Sequence, residues 1–329
     1  MRMLYVVILS LFAMQIEAQK VVMLHKANGL QQAFYSNQPL LDAYTAAGNE
    51  DTIYLPGGSF VAPDFNKRLT IYGAGHYPDS TGVTGKTIIA NGFTIGSAAD
   101  SFHLEGVECN ADIYIEGNVN YLNFKRNNLG SVSYSTAPVS SYSRMEGNVI
   151  RGALNFTHAT NVLLVNNIIA GQVILAKNGD VIRNNVFLTE YPINSCSYAL
   201  FENNIFLGTI TSFLSTYTND YNVFSNNVFT MTPTWLLNQN YSNYTNVAAA
   251  NLLVNQTGTS FSYLHNYHLQ NAGSYLGVDA IQCGIYGGFF GYKEGAVPTN
   301  PHIRQKTIAN TTNAIGELNV NITVAAQNN

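Results

Sequence analysis

The chain has 329 residues, of which only 10% are charged, and a formal net charge of −4. These values exclude the basic surface that nucleic-acid binding requires. Asparagine is the commonest polar residue, with 41 copies, which is typical of a large neutral polar surface and also suits contact with uncharged sugars.

Residues 1–18, MRMLYVVILSLFAMQIEA, read as a secretory signal peptide. Arg2 is followed by an apolar run over 3–14, and the small Ala18 precedes Gln19 at a plausible cleavage point. No later run reaches the roughly 18 apolar residues of a transmembrane helix, and no cysteine near the cleavage point can carry a lipid. We therefore expect a secreted or cell-surface protein with no transmembrane segment.

Residues 19–50 are predicted to cap the first strand of the next domain. The stretch 28–48 contains an amphipathic helix with Leu40, Leu41 and Tyr44 at helical spacing, which ends at Gly48. The open end of a stack of strands exposes apolar side chains and unpaired edges, so a cap is expected there.

One short sequence motif then recurs along the chain. Strand-plus-turn units over 51–60, 68–75 and 86–96 lead into repeats of an asparagine pair followed by a branched residue and an apolar one, as in VLLVNNII and VFSNNVFT. The second asparagine falls at 128, 148, 167, 185, 204 and 227, in steps of 18 to 23 residues. A period near 20 without a helical pattern indicates a solenoid built from short strands.

The asparagine pair has a physical reason to recur. A sharp turn between strands often needs a positive φ, which asparagine accepts most readily after glycine, and amides stacked in register form a hydrogen-bonded ladder. Positions counted from the asparagine pair predict two groups of residues. The expected ladder at one corner is Asn128, Asn167, Asn185, Asn204 and Asn227, and the expected inward-facing residues are Leu164, Ile182, Phe201 and Phe224.

We expect an all-β fold, a right-handed parallel β-helix over residues 51–288. A leucine-rich-repeat horseshoe has a similar period but a different unit with an outer helix, and an antiparallel sandwich gives no reason for one dipeptide to return at one phase. Residues 289–329 are predicted to form a C-terminal tail whose last strand packs along the solenoid. Cys109, Cys196 and Cys283 are predicted to be core thiols.

The acidic residues concentrate over 101–128, as Glu105, Glu108, Asp112 and Glu116. Lys125 and Arg126 follow about one coil later and are expected beside Glu105 and Glu108. The pairs Arg126/Glu146 and Arg183/Glu202 are also one coil apart. We interpret these charges as ion pairs between neighbouring coils, worth roughly 0 to 1 kcal/mol each when exposed. The alternative is a catalytic site of Glu105, Glu108, Lys125 and Arg126.

The chain resembles the right-handed parallel β-helix, or pectin-lyase-like, proteins, and most closely uncharacterised exported members from Bacteroidetes. The likeness rests on LLDAYTAAGNEDTIYLPGGSF with KRLTIYGAGHYP, on the repeats, and on YHLQNAGSYLGVD followed by CGIYGG. It implies a capping helix, a first coil and a closing coil in these stretches. It also implies polysaccharide chemistry, although fold alone does not carry function.

The site motifs of three enzyme types in that superfamily are missing. The chain has no Asp-Asp dipeptide of the polygalacturonase kind and no methylesterase pattern, and only the group around Glu105 to Glu116 beside Lys125 and Arg126 imitates a lyase site that holds Ca²⁺. We therefore expect a non-catalytic exported protein that binds a polysaccharide or surface glycan, or joins a surface assembly, without metal or cofactor. The alternatives are a polysaccharide lyase or glycosidase, with Ca²⁺ only in the lyase case, and a structural or adhesive protein.

Overall fold

The computed structural model describes residues 20–289 and 291–325, and the predicted signal peptide lies outside them. The described chain is a parallel β-solenoid of about 10 turns. Successive coils contribute one strand each to stacked parallel sheets, which we call sheets A, B and C.

The strands are short, because each crosses only one flat side of a coil. Sheet A contains, in spatial order, Gln31–Phe34, Val22–His25, Thr52–Tyr54, Thr70–Tyr72, His103–Glu105, Asn123–Lys125, Arg144–Glu146, Leu163–Val165, Val181–Arg183, Leu200–Glu202, Val223–Ser225 and Gln239–Tyr241. Sheet B contains Gly58–Phe60, Thr87–Ile89, Glu108–Cys109, Asn128–Leu129, Val149–Ile150, Ile168–Ile169, Val186–Phe187, Ile205–Phe206 and Val228–Phe229. Sheet C contains Phe93–Ile95, Ile113–Glu116, Val132–Thr136, Leu154–Asn155, Val173–Ile174 and Ile193–Asn194.

The remaining elements lie in the N-terminal cap, in connections between the sheets, or outside the coils. Two-stranded pairs join Ser140–Ser141 with Ala159–Thr160, Leu253–Asn255 with Asn266–Leu269, and His302–Ile308 with Val320–Ala325. The helices are Pro39–Ala46 and Phe213–Thr216, with 3₁₀ turns at Ala249–Asn251, Ala272–Ser274 and Glu294–Ala296.

The asparagine pair forms the corner between sheets A and B. Its first member has the positive φ that the sequence predicted, for example 56° at Asn166 and 57° at Asn203, and Gly147 substitutes at 64°. Its second member is fully buried and forms the ladder. Asn185, for instance, accepts hydrogen bonds from the backbone N–H and side-chain amide of Asn167, at 2.9 and 3.0 Å.

The ladder corrects one predicted position. Its members are Asn127, Asn148, Asn167, Asn185, Asn204, Asn227 and Asn243. Asn128 lies one residue further on, in sheet B, because in this coil Arg126 occupies the positive-φ position, at 54°. The asparagine pair is thus displaced by one residue relative to the later copies.

The predicted core positions are confirmed. Leu164, Ile182, Phe201 and Phe224 are fully buried and are paired in register between neighbouring coils of sheet A. The rings of Phe201 and Phe224 stack with centroids 4.8 Å apart. Cys109, Cys196 and Cys283 are free and buried, as predicted.

The N-terminal cap is built differently in detail from the prediction. Val22–His25 and Gln31–Phe34 pair antiparallel, and the first of them also pairs antiparallel with Thr52–Tyr54, so they close the edge of sheet A. The helix is restricted to Pro39–Ala46 within the predicted 28–48. It buries Leu40 on the core while Leu41 is exposed.

The coils end earlier than the expected residue 288. The last strand of sheet A is Gln239–Tyr241, and residues 252–299 then run back along the outside of the solenoid. We call them the return segment. The first asparagines of the pairs hold it: Asn166 donates its amide to the carbonyls of Ile285 and Gly287, at 2.7 and 2.9 Å, and Asn203 accepts from the backbone of Val278 at 3.0 Å.

Glycine permits this close approach. A Cβ atom on Gly277 would lie 2.5 Å from the amide of Asn203, so no other residue fits there without a shift. The stretch that resembles a closing coil is therefore part of the return segment and not a further coil.

The C-terminal strand Val320–Ala325 pairs with His302–Ile308 and not with a sheet of the solenoid. The two strands form a largely exposed hairpin, in which Val320, Ile322 and Val324 are about half exposed.

The core predicts a large stability effect at Phe201. Phe201→Ala should lower the free energy of unfolding by about 3 to 5 kcal/mol, because it removes a buried ring and leaves a cavity between coils. Urea unfolding of the purified chain measures this. Phe289→Ala, at a ring that is 85% exposed, is the matched control, and equal midpoints for the two variants would contradict the inward position of Phe201.

The ladder predicts a second effect. Asn185→Ala removes the acceptor of the Asn167 backbone N–H and the donor to the Leu164 carbonyl, and each buried group left unpaired costs about 1 to 3 kcal/mol. We expect a loss of about 3 kcal/mol by thermal and urea unfolding, whereas the exposed Asn178→Ala should change stability by about 0.5 kcal/mol or less. A loss as small as that of the control would show that the ladder is dispensable.

Candidate functional site

The outer face of sheet B explains where the return segment lies. Val149, Ile168, Val186, Ile205 and Val228 face outward in register, and they are fully buried beneath the return segment in an apolar cluster separate from the core. Both faces of sheet B are thus apolar, which accounts for the consecutive apolar residues after each asparagine pair.

The first coils interrupt this apolar column with polar residues. Glu108 and Asn128 take the outward position in register with Val149, and Tyr263 of the return segment meets them. The Tyr263 hydroxyl donates to a Glu108 carboxylate oxygen at 3.2 Å, accepts from the Asn128 amide at 2.5 Å and lies 3.3 Å from Nδ1 of His76. Lys86 completes the cluster with a 3.1 Å ion pair to Glu108.

The protonation states in this cluster follow from its burial. Burial lowers the pKa of His76 to about 3, with Lys86 adding to the effect, so the imidazole is neutral at neutral pH. Burial and the Glu108 carboxylate raise the pKa of Tyr263 to about 12. Burial alone would raise the pKa of Glu108, but the hydrogen bond and charge of Lys86 lower it below its ordinary value.

Beside this cluster lies a cleft of about 570 Å³ lined by five tyrosines. We call it the tyrosine cleft, formed by Tyr77, Tyr263, Tyr267, Tyr286 and Tyr292. Tyr77 packs edge-on against Tyr263 with centroids 4.8 Å apart, and its hydroxyl is 2.9 Å from that of Tyr292. All but Tyr77 belong to the return segment, so the cleft exists only because that segment folds back on the early coils.

The tyrosine cleft is lined by uncharged donors and acceptors and by three charged residues, Asp79, Glu294 and Arg304. Burial raises the pKa of Tyr77 to about 12 and raises the pKa values of Tyr286 and Tyr292 as well, so these hydroxyls stay protonated. His265 and His302 also line the cleft. The Nδ1 atom of each is buried and has no hydrogen-bond partner among the described residues.

Two of the predicted catalytic candidates serve to fasten the return segment. Glu105 is 1% exposed and accepts hydrogen bonds from the backbone and hydroxyl of Thr299, at 2.8 and 2.9 Å, and it lies 3.1 Å from His103. Arg126 is 3.5 Å from Glu105 and donates to the Val297 carbonyl at 2.9 Å. Burial alone would raise the pKa of Glu105, but the bonds from His103 and Thr299 hold it below its ordinary value.

The predicted acidic group is not brought together. Glu105 ends a strand of sheet A, Glu108 begins one of sheet B and Glu116 ends one of sheet C. Asp112 accepts a hydrogen bond from Tyr114 on the sheet C side. Arg126 lies beside Glu105, as expected. Glu108, however, forms its ion pair with Lys86.

The predicted pairs between coils have mixed outcomes. Arg183 and Glu202 are 3.0 Å apart, as predicted, and Asp279 of the return segment joins them at 3.5 Å from Arg183. The pairing of Arg126 with Glu146 is wrong, since Arg126 turns toward Glu105.

Glu146 instead binds Arg144, at 2.5 Å, and lies 3.9 Å from Lys125. These three residues, with Arg126 and Lys293, line a cleft of about 370 Å³ that we call the cationic cleft. It carries four basic side chains and one carboxylate, and Tyr292 is common to it and the tyrosine cleft.

A third feature recurs at the corner that precedes sheet A. We call it the tyrosine corner: Tyr121, Tyr142, Tyr198 and Tyr221, each two residues before its strand. All four have positive φ, between 59° and 62°, and are 48 to 59% exposed. Tyr121 stacks on Tyr142 at 5.3 Å, and Tyr198 stacks on Tyr221 at 5.0 Å.

The positive φ of the tyrosine corner belongs to the turn and not to tyrosine. Ser101 and Asn161 hold the same position, two residues before a strand of sheet A, with φ of 62° and 54°. Each stacked tyrosine pair contributes about 0.5 to 1.5 kcal/mol between neighbouring coils.

Within the described ranges, no helix is long and apolar enough to cross a membrane, and no group of three or more His, Cys, Asp or Glu side chains is placed to hold a metal ion. Comparisons with protein-family models, curated proteins and solved structures find no match. These comparisons therefore assign the chain to no family.

Sequence reasoning missed both tyrosine surfaces. The tyrosine cleft joins Tyr77 to residues as far as 215 positions away, as in its contact with Tyr292, and no local sequence pattern reports such a contact. The sequence did contain a signal for the tyrosine corner, because its four tyrosines occupy the same position in their repeats.

Glu105 and Arg126 together form a clamp on residues 297–299. The Glu105 carboxylate of this clamp predicts a pH dependence of the stability. Since the folded pKa of Glu105 is depressed, its contribution to stability is present above the ordinary glutamate value and is lost as the pH falls through the folded pKa. Glu105→Gln should lower the thermal midpoint at pH 7 and reduce the change between pH 7 and pH 3. It should also speed hydrogen exchange at residues 297–299.

The exposed Glu116→Gln is the control for this experiment and should leave both the midpoint and its pH dependence unchanged. Identical exchange at residues 297–299 in the Glu105→Gln variant and the unmodified chain would rule out the clamp.

Proposed function

We propose that the chain is an exported, non-catalytic solenoid of the pectin-lyase-like type that binds a saccharide in the tyrosine cleft. The observation that carries the proposal is the cleft itself, with five tyrosines on its walls. A polysaccharide or a glycan of a cell surface is the proposed partner.

The chemistry of the walls supports a saccharide. A sugar ring presents apolar C–H faces and a rim of hydroxyls, so it is matched by aromatic faces with polar groups at their edges. Tyr286 lines the cleft with its ring stacked on that of His268, centroids 3.8 Å apart, and its hydroxyl is fixed by a 2.6 Å hydrogen bond to Glu294.

The protonation states and ion pairs of the groups beside the cleft support binding over catalysis. A catalytic base needs a pKa close to the working pH, yet Tyr77 and Tyr263 have pKa values raised to about 12, and that of His76 is lowered to about 3. Glu105 and Glu108 have their charges engaged with Arg126 and Lys86.

A second candidate function is cleavage of an acidic polysaccharide in the cationic cleft. Lys125 and Arg144 there face a common carboxylate, Glu146, and a lyase reaction requires a basic residue near the carboxylate of its substrate. This candidate ranks second because Glu146 already partners both cations. Ca²⁺ would be required only in this case.

The tyrosine cleft proposal predicts a loss of affinity on removing a ring. On a glycan array followed by calorimetry with the best saccharide, Tyr286→Ala should weaken binding about tenfold, which corresponds to roughly 1.4 kcal/mol, a stacking-sized term. Tyr286→Phe keeps the ring and should retain most of the affinity. Tyr114→Ala, at an exposed tyrosine of sheet C, is the matched control.

Two results would overturn the proposal. The first is that no saccharide binds to the folded chain. The second is cleavage of a uronate polymer, followed at 235 nm with and without Ca²⁺, that is lost in Lys125→Ala but persists in Tyr286→Ala. That result would place the function in the cationic cleft.

A further inference from the structure

We propose that the C-terminal end of the solenoid is a dimer interface, which takes the same end of a second copy of this chain. The surface is the end of the last coil, formed by Trp235, Leu236, Leu237 and the strand Gln239–Tyr241, and we call it the terminal face. It shares no residue with the tyrosine cleft, and the proposal is independent of saccharide binding there.

The two ends of the solenoid are closed in different ways. At the N-terminal end, two antiparallel strands and the helix Pro39–Ala46 form a cap. At the C-terminal end, Gln239–Tyr241 is the last strand of sheet A, and among the described residues no further strand pairs with its outer edge. Trp235 packs on the last core rings, with centroids 5.6 Å from Phe224 and 5.5 Å from Phe229, and is itself only partly buried.

The terminal face exposes apolar side chains in a part of the sequence without charge. Leu236 and Leu237 are each 55% exposed, and Tyr241 is 53% exposed. Residues 221–278 contain no Lys, Arg, Asp or Glu. Exposed edge strands are ordinarily protected from pairing with other chains by charged side chains. The terminal face lacks this protection, so its edge is open to pairing.

The backbone of this edge strand is complementary to itself. The Gln239 N–H donates to the Asn222 carbonyl at 2.8 Å, and the Tyr241 carbonyl accepts from the Asn226 N–H at 3.0 Å. Because the bonding direction alternates along a strand, the N–H and carbonyl of Asn240 point away from the sheet. In an antiparallel pair, two opposed residues exchange both of their backbone hydrogen bonds. A two-fold axis beside Asn240 therefore pairs this residue with its own copy and satisfies both groups.

The distribution of charge favours the same end of a second copy over the opposite end. Two terminal faces are both neutral, so their contact buries no charge. The N-terminal cap instead carries Lys26 and the exposed Asp42, and burying a charge against a neutral surface costs free energy. A contact between unlike ends would also repeat without closing and form a filament, whereas the two-fold contact closes as a dimer.

Sedimentation velocity of the purified chain over a range of concentrations measures the association, and we expect a monomer–dimer equilibrium. Leu237→Glu places a charge in the interface and should raise the dissociation constant tenfold or more. Leu264→Glu, at a side chain of the return segment that is 84% exposed, is the matched control and should leave the constant unchanged. Circular dichroism should show the fold of the unmodified chain in both variants.

A disulfide tests the register of the interface. In the two-fold pair, the Cα atoms of the two Asn240 residues are about 5.5 Å apart, which is within the range that a disulfide spans. Asn240→Cys should therefore form a covalent dimer on mild oxidation, since the three native cysteines are buried. Gln32→Cys, on the edge strand of the N-terminal cap, is the control and should form none.

Three outcomes would overturn the proposal. A chain that stays monomeric at every concentration does not use the terminal face to dimerise. A mass that grows beyond that of a dimer, with no covalent dimer of Asn240→Cys, shows contact between unlike ends. A dimer whose dissociation constant is the same in Leu237→Glu and Leu264→Glu is formed by another surface.

Discussion

The structure depends on the hydrogen bonds of a buried amide at one corner of each coil. A chain that turns between two short strands leaves backbone groups without a partner in either sheet, and a buried unpaired group costs about 1 to 3 kcal/mol. The ladder asparagine satisfies these groups from the next coil: Asn204 accepts from the backbone N–H of Asn185 and donates to the carbonyl of Ile182. Asparagine suits this position because it carries both a donor and an acceptor at one short reach.

The ladder also explains why the period varies while the phase does not. Ladder steps run from 16 residues, between Asn227 and Asn243, to 23, between Asn204 and Asn227. The extra residues, which include the short helix Phe213–Thr216, lie on the far side of the coil, away from the corner. Insertions in such surface connections are tolerated as long as the corner returns in register.

The same corner organises the outer surface. The first asparagine of each pair turns its amide outward, where Asn166 and Asn203 bind the return segment, and the clamp of Glu105 and Arg126 on residues 297–299 fixes the far end. Several of the chain's few charged side chains therefore fasten the return segment. Tyrosines line both the tyrosine cleft and the tyrosine corner, in a chain that is only 10% charged.

The sequence by itself determined the solenoid, the inward residues and the ladder, because contacts between adjacent coils repeat at one phase and leave a periodic record. It misplaced the first rung at Asn128 instead of Asn127, since Arg126 adopts the turn conformation that asparagine adopts elsewhere. Only the tertiary structure decided the path of the return segment, the fastening role of Glu105 and the assembly of the tyrosine cleft. Those contacts join residues 75 to 215 positions apart, as with Asn203 and Val278 or Tyr77 and Tyr292, and a single pairing at such a separation leaves no period in the sequence.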